Sequence, residues 1–370
     1  MSTISNFTSE KDLLKFFKDR NFKKILIITG QNSYYKSGAE SIVNNCIEKE
    51  KQYFYFKKNF SPNIEELKEI IIVIKKLSPD LILAIGGGCV IDYAKIANCL
   101  LYEENLKNKI KNTTYKIKKN TELAAIPTTA GSGAEVTSNA VIYIDNKKYS
   151  IEGKLLIPDY FFLIPELVIG SSKEIKASSG FDAIAQSLES LISKKSNEHS
   201  VAFAKKSLEI SLKYYLEYLS NPNYLNASSM SLAANLSGRA ISISKTTAPH
   251  AVSYPFTSFF NISHGHAVSL TLDKFMAFNF NNIKYSKCDF NLEKRFNDIF
   301  KIAKCKNIAE FINYLKFIKK KANLEDNFEK LGIDITNSYE KIASGINLDR
   351  LKNNPVIITK EQLKEIILNF

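Results

Sequence analysis

A chain of 370 residues, 45% hydrophobic and 24% charged, has the apolar surface for one large or two ordinary domains and the balance of a folded globular protein. Its net charge of +13 comes almost wholly from lysine, with arginine only at 20, 239, 295 and 350. Lacking arginine forks and any basic block, that charge points to no nucleic-acid partner and suits an anionic small molecule. No apolar run reaches the roughly 18 residues of a membrane span, and the start "MSTISNFTSEKDLLKFF" has no signal core, so no membrane partner is expected. The five cysteines (46, 89, 99, 288, 305) form no C-x-x-C pair, which excludes a zinc ribbon or redox motif and leaves reduced thiols in a cytoplasmic protein as the expectation.

The first half alternates two patterns. "KKILIIT" (23–29) is a short apolar run ending at Gly30, the form of a buried parallel strand. "YKSGAESIVNNCIEKE" has helical spacing, "QYFYFKK" reads as a second strand, and "NIEELKEIIIVIKKLS" as an amphipathic helix. "PDLILAIGGG" is a strand running into glycines, "DYAKIANCLL" the next helix, and "ELAAIPTTAGSGAE" a strand ending in a loop. This rhythm predicts a Rossmann-like, mostly parallel sheet with helices on both faces. After about residue 166 the segments are helical. The expected organisation is an α/β domain over 1–165 and an all-α domain over 166–370.

Four stretches carry chemistry. In "LILAIGGGCVIDYAK" a strand delivers Gly86, Gly87 and Gly88 to a helix start, where bare backbone N–H groups and the helix dipole can cradle a phosphate. In "IPTTAGSGAEVT" a second strand end carries Thr128, Thr129 and Ser132, hydroxyls suited to a ribose or pyrophosphate. In "GFDAIAQSLES" Asp182 and Gln186 are four apart, on one helix face. In "HAVSYPFTSFFNISHGHAVSL" three of the chain's four histidines, His250, His264 and His266, fall within seventeen residues, while His199 lies apart. With Asp182 and Gln186, His250 and His264 offer an oxygen and nitrogen ligand set for a divalent ion.

On these stretches the chain resembles the iron-containing (group III) alcohol dehydrogenase family, whose fold is shared with dehydroquinate synthase. "GGGCVIDYAK" is similar to its G-G-G-S-x-x-D-x-x-K, "IPTTAGSGAEVT" to P-T-T-x-G-T-G-S-E-x-T, "GFDAIAQSLES" to G-x-D-A-x-x-H-A-x-E, and "HAVSYPFTSFFNISHG" to H-x-x-x-H-P…P-H-G. The resemblance implies a pyrophosphate loop at Gly86, Gly87, Gly88, Cys89 and Asp92, with Cys89 in place of serine. It implies a second cofactor loop at Thr128, Thr129 and Ser132, and metal ligands at Asp182, His250 and His264. Gln186 stands where the family has a fourth, histidine ligand, and Tyr254 where it has a second active-site histidine. Gly30 stands where many NAD-preferring members have an aspartate. Without that charge, and with Asn32, Ser33 and Lys36 nearby, NADPH becomes acceptable alongside NADH. Glutamine and tyrosine at the two altered positions are similar to the phosphonoacetaldehyde reductase branch.

The expected activity is therefore NAD(P)H-dependent, metal-assisted reduction of a small aldehyde to an alcohol, with iron or zinc as the metal and a homodimer as the assembly. Tyr254, then His266, are the expected proton donors. Lys245, Thr246 and Thr247, just ahead of His250, are the expected clamp for an anionic aldehyde such as phosphonoacetaldehyde, reduced to 2-hydroxyethylphosphonate. Three alternatives stay open on the sequence: a generic short-chain alcohol dehydrogenase, a lyase or synthase on the same fold, and a binding protein without catalysis.

Overall fold

The structure, a computed structural model, describes residues 5–7 (backbone only), 9–145 and 147–368. The described strands are β1 (Ser5–Phe7), β2 (Ile25–Gly30), β3 (Gln52–Lys57), β4 (Leu81–Gly86), β5 (Glu122–Pro127), β6 (Asn139–Ile144), β7 (Lys147–Glu152) and β8 (Tyr160–Phe162). Six form a sheet in the order β1-β8-β5-β4-β2-β3, every pairing parallel. Side chains alternate across it. Leu26, Ile28, Ile82, Ala84 and Leu123 pack on one face, and Ile25, Ile27, Leu81, Leu83 and Ala124 on the other. With both faces covered, β2 and β4 are buried throughout, which is why they read as unbroken apolar runs. β3 is an edge strand, and its Tyr53 and Phe54 are exposed.

The chain divides into two compact units, Met1–Ser172 with Asn223–Ser231, and Lys173–Pro222 with Leu232–Phe370. The expected boundary at 165/166 lies one short helix before that division. The first unit's helices are α1 (Glu10–Lys18), α2 (Gln31–Lys36), α3 (Ala39–Cys46), α4 (Ile64–Leu77), α5 (Gly88–Cys99), α6 (Leu106–Asn112) and α7 (Pro165–Ile169). Asn63 caps α4 by accepting the Glu66 N–H, and the first turn is acidic, as the helix dipole favours. The antiparallel hairpin of β6 and β7 was not anticipated. It alternates buried Ala140, Ile142 and Ile144 with half-exposed neighbours, the period-2 pattern of a strand covered on one face.

The second unit is helical: α8 (Lys173–Ile192), α9 (Glu198–Ser220), α10 (Tyr224–Ser244, whose start falls in the first unit), α11 (Ala248–Phe260), α12 (His264–Asn281), α13 (Leu292–Ala303), α14 (Ile308–Lys321), α15 (Ile335–Ser344), α16 (Leu348–Lys352) and α17 (Lys360–Leu368). α8 packs on α9 and α12, and α11 on α12, α15 and α16. The approach of α12 to α8 is set by Gly265. A Cβ there would lie 1.9 Å from the Ser178 carbonyl oxygen, so no other residue lets the helices come this close. Pro255 sits inside α11 and leaves the Ala251 carbonyl without its i+4 donor; the Asn347 N–H takes it instead, at 3.3 Å.

Candidate active site

α8 presents Asp182, Gln186 and Glu189 at i, i+4 and i+7, one face of the helix, and all three are buried. His250 comes from the first turn of α11 and His264 is the first residue of α12. One ligand atom from each of Asp182, His250 and His264 lies within 4.8 Å of the others. The rings of His250 and His264 are 5.2 Å apart, and Tyr254 lies against His264 at 6.0 Å. His250 Nε2 is 3.2 Å from Asp182 Oδ1. Burial pulls the His250 pKa down, but Glu189 and Asp182 outweigh it and hold the ring up at about 9. The carboxylates that favour a proton there favour a divalent cation equally. Two imidazoles and a carboxylate converging in a buried place suit iron or zinc.

Glu189 was missed as a functional residue. It holds His250 Nδ1 on Oε2, while Oε1 accepts the Thr247 N–H at 2.8 Å and the Thr247 hydroxyl at 2.9 Å. This carboxylate–histidine pair fixes the tautomer that leaves Nε2 facing the ligand cluster. Its signal was present, as the glutamate seven residues after Asp182 on the same helix face.

The structure gives several expected residues other tasks. Gln186 Oε1 accepts from Ser237 Oγ at 2.8 Å and its Nε2 donates to Asp182 Oδ2 at 3.1 Å. In this arrangement it braces a ligand rather than offering its oxygen as a fourth one. The His266 ring is bonded to the Glu325 carbonyl at 2.6 Å. Two residues along α12 from His264, it projects from a different helix face, so it anchors a loop and does not donate at the centre. The Thr247 hydroxyl is committed to Glu189, so it is not a substrate clamp, and Thr246 is buried with its carbonyl on Asn353 Nδ2. Lys245 ends α10 in the left-handed region, with φ 59°.

In the first unit, α5 starts at Gly88 with no side-chain cap, as an anion-binding helix start requires. The glycines are there for space. A Cβ would meet Val90 Cγ2 at 2.6 Å from position 86, Thr129 Oγ1 at 3.4 Å from 87 and Ser132 Oγ at 2.8 Å from 88. The two expected cofactor loops thus face each other, Gly87 against Thr129 and Gly88 against Ser132. Ser171 Oγ holds the Thr128 carbonyl at 3.1 Å. At Cys89, burial pushes the thiol up to about 12, which disfavours the thiolate. Asp92 accepts the Val141 N–H at 3.0 Å, and its carboxyl is pushed up to about 6, mainly by burial. Lys95, also missed, is fully buried and donates to the Ala134 carbonyl, Thr137 Oγ1 and the Asn139 carbonyl, tying the second loop to α5. At the end of β2, Asn32 is exposed, and a Cβ on Gly30 would meet Ser33 Oγ at 2.9 Å and Lys57 Cε at 3.5 Å.

Comparison with known proteins gives the family. The family "Iron-containing alcohol dehydrogenase" matches residues 3–165 and "Fe-containing alcohol dehydrogenase family, C-terminal" matches 176–370. The chain belongs to the iron-containing alcohol dehydrogenase family, whose members are oxidoreductases acting on alcohols. It is 30% identical to a 1-propanol dehydrogenase of Citrobacter freundii over 59% of this chain and 56% of that protein. It is 29% identical to the phosphonoacetaldehyde reductase of Streptomyces viridochromogenes over 56% of this chain and 55% of that one. The chain thus spans little more than half the length of these relatives. It shares the fold of a sulfoacetaldehyde reductase from Bifidobacterium kashiwanohense, solved with NAD+, at a TM-score of 0.87 and 22% identity, covering 99% of this chain and 96% of that one. Among the described residues no helix is long and apolar enough to cross a membrane.

Proposed function

We propose that this protein reduces a short aldehyde to its alcohol, and that the preferred aldehyde carries an anionic group, phosphonoacetaldehyde first, giving 2-hydroxyethylphosphonate. The convergence of Asp182, His250 and His264 within 4.8 Å carries the reading. Asp182, His250 and His264 would hold a divalent ion there, which would supply Lewis acidity to a carbonyl oxygen, a contribution of several kcal/mol to the transition state. The 86–88 and 128–132 loops would hold NADH or NADPH, which would supply the hydride. The product oxygen then needs one proton. We assign that step to the Tyr254 phenol: its ring lies against His264, and burial raises its pKa, so it holds its proton.

The anionic substrate is supported by the phosphonoacetaldehyde reductase among the relatives and by the lysine-rich charge. NADPH use is supported by Gly30, which lacks a carboxylate, and by Lys57, whose chain crosses that glycine. A second reading, reduction of a neutral three-carbon aldehyde, is favoured by the 1-propanol dehydrogenase. An aldehyde panel read as loss of nicotinamide absorbance, with both cofactors and with and without chelator, separates them. Chelator-sensitive turnover, with phosphonoacetaldehyde ahead of propanal, is the expected result. Full activity in metal-free protein overturns the metal-assisted reading, and equal use of both aldehydes overturns the anionic one.

A further inference from the structure

Along α11, His250, Tyr254, Thr257 and the capping Asn261 recur at i, i+4, i+7 and i+11, one face of the helix. The other faces are spent on packing. Ala251, Val252 and Phe256 belong to a buried core, and Phe256 stacks on Phe328 at 5.4 Å. A Cβ on Gly345 would meet Pro255 Cβ at 3.0 Å and Phe259 Cε2 at 3.3 Å. The remaining face opens step by step: His250 is 3% exposed, Tyr254 and Thr257 are each 8% exposed, and Asn261 is exposed. It runs from the ligand cluster outward to solvent.

On that face the Thr257 hydroxyl is buried and has no hydrogen-bond partner in the protein. Its neighbours on α11 behave otherwise. Ser253 Oγ donates to the His250 carbonyl at 2.8 Å and Ser258 Oγ to the Tyr254 carbonyl at 2.9 Å, the usual fold-back of a helical hydroxyl. A buried hydroxyl left unpaired costs stability, and a methyl group would fill the same space without that cost. Other unpaired buried hydroxyls occur among the described residues, at Thr29, Ser150, Ser196, Ser231 and Thr271, but none of these is on α11. Thr271, two turns after His264 on α12, is sealed at 0% exposure, whereas Thr257 lies where its helix face begins to open.

We propose that Thr257 determines substrate specificity, its hydroxyl donating a hydrogen bond to an oxygen at the anionic end of the substrate, a phosphonate, sulfonate or carboxylate two carbons from the aldehyde. The proposal rests on the reductase reading above and deepens it. Three residues advance a helix by about 4.5 Å, so Thr257 sits one turn outward of Tyr254, on the solvent side of the place where the carbonyl would be reduced. A two-carbon chain with its terminal oxygens is of that length. A hydrogen bond to an ionised oxygen is roughly twice as strong as one between neutral groups, so a single hydroxyl discriminates between an anionic aldehyde and an apolar one. The branched side chain has few rotamers to lose on binding.

The test compares wild type with Thr257→Val, which keeps the shape and removes the hydroxyl, and with Thr257→Ser, which keeps the hydroxyl. Binding of ethylphosphonate, an unreactive mimic of the substrate's anionic end, to the full-length protein is read by calorimetry, and the thermal midpoint of each unliganded protein is recorded. The expected result is affinity lost by about 10- to 100-fold in Thr257→Val and largely kept in Thr257→Ser. The midpoint of Thr257→Val should equal or exceed that of wild type, because an unpaired buried hydroxyl has gone. In turnover, Thr257→Val should raise KM for phosphonoacetaldehyde far more than for propanal. Wild type that binds no ethylphosphonate, Thr257→Val that binds it normally, a midpoint that falls together with affinity, or a KM that rises alike for both aldehydes each overturns the proposal. If the hydroxyl governs anion binding but wild type reduces no aldehyde, the site stands and the reductase reading falls.

Discussion

Glu189 and His250 are joined through the imidazole Nδ1, with the other carboxylate oxygen taking the N–H and hydroxyl of Thr247. One buried acid on α8 therefore sets both the ring orientation of a ligand and the turn that leads into it. Glu189→Gln keeps the shape and removes the charge. It is expected to weaken zinc or iron binding by about 10- to 100-fold, read by chelator competition. Unchanged affinity means that Glu189 serves packing alone.

Gln186 lies between Ser237 and Asp182. Replacing it by histidine supplies an imidazole where the structure has a brace. Gln186→His should tighten metal binding by at least about tenfold, since imidazole is a stronger ligand than an amide. Metal titration that shows no gain places position 186 outside the coordination sphere.

Gly265 admits no side chain, because the Ser178 carbonyl oxygen occupies the place of its Cβ. Gly265→Ala must push α12 off α8, at a cost of about 1–3 kcal/mol or more. Urea unfolding reads that loss. Metal affinity should fall with it, since His264 adjoins the displaced residue. A variant as stable as wild type disproves the close approach.

Gly30→Asp should shift preference from NADPH toward NADH by placing a carboxylate beside the 2′-phosphate. Lys57→Ala should shift it the same way by removing a cation beside Gly30. Dissociation constants for NADP+ and NAD+ decide this, and strict NADH use in the wild type refutes it.

Lys95 is lowered from 10.5 to about 8 by burial, against the pull of Asp92 and Glu135. A buried lysine with a depressed pKa costs stability while charged. The cost is full below about pH 8 and is relieved as pH rises toward 10.5, because there the unfolded chain holds a proton that the folded one has released. Between those values wild type should gain stability with pH relative to Lys95→Met. Parallel profiles of unfolding free energy against pH rule this out. Lys95→Met should also weaken cofactor binding, because the second loop loses its tie to α5.

The sequence by itself determined whatever follows from local period and composition. Unbroken apolar runs marked β2, β4 and β5, because a sheet covered on both faces needs no polar alternation. Glycines after a strand marked the loop at 86–88, and the family-like motifs singled out Asp182, His250 and His264, whose ligand atoms the fold brings within 4.8 Å of one another. Only the tertiary structure decided which way those side chains face. Whether Gln186 turns its oxygen to Ser237, whether Thr247 serves Glu189 and whether His266 takes the Glu325 carbonyl all depend on segments distant in sequence. A polar group's partner is chosen when burial strips it of water and the nearest complementary atom must satisfy it, and local sequence does not contain that atom.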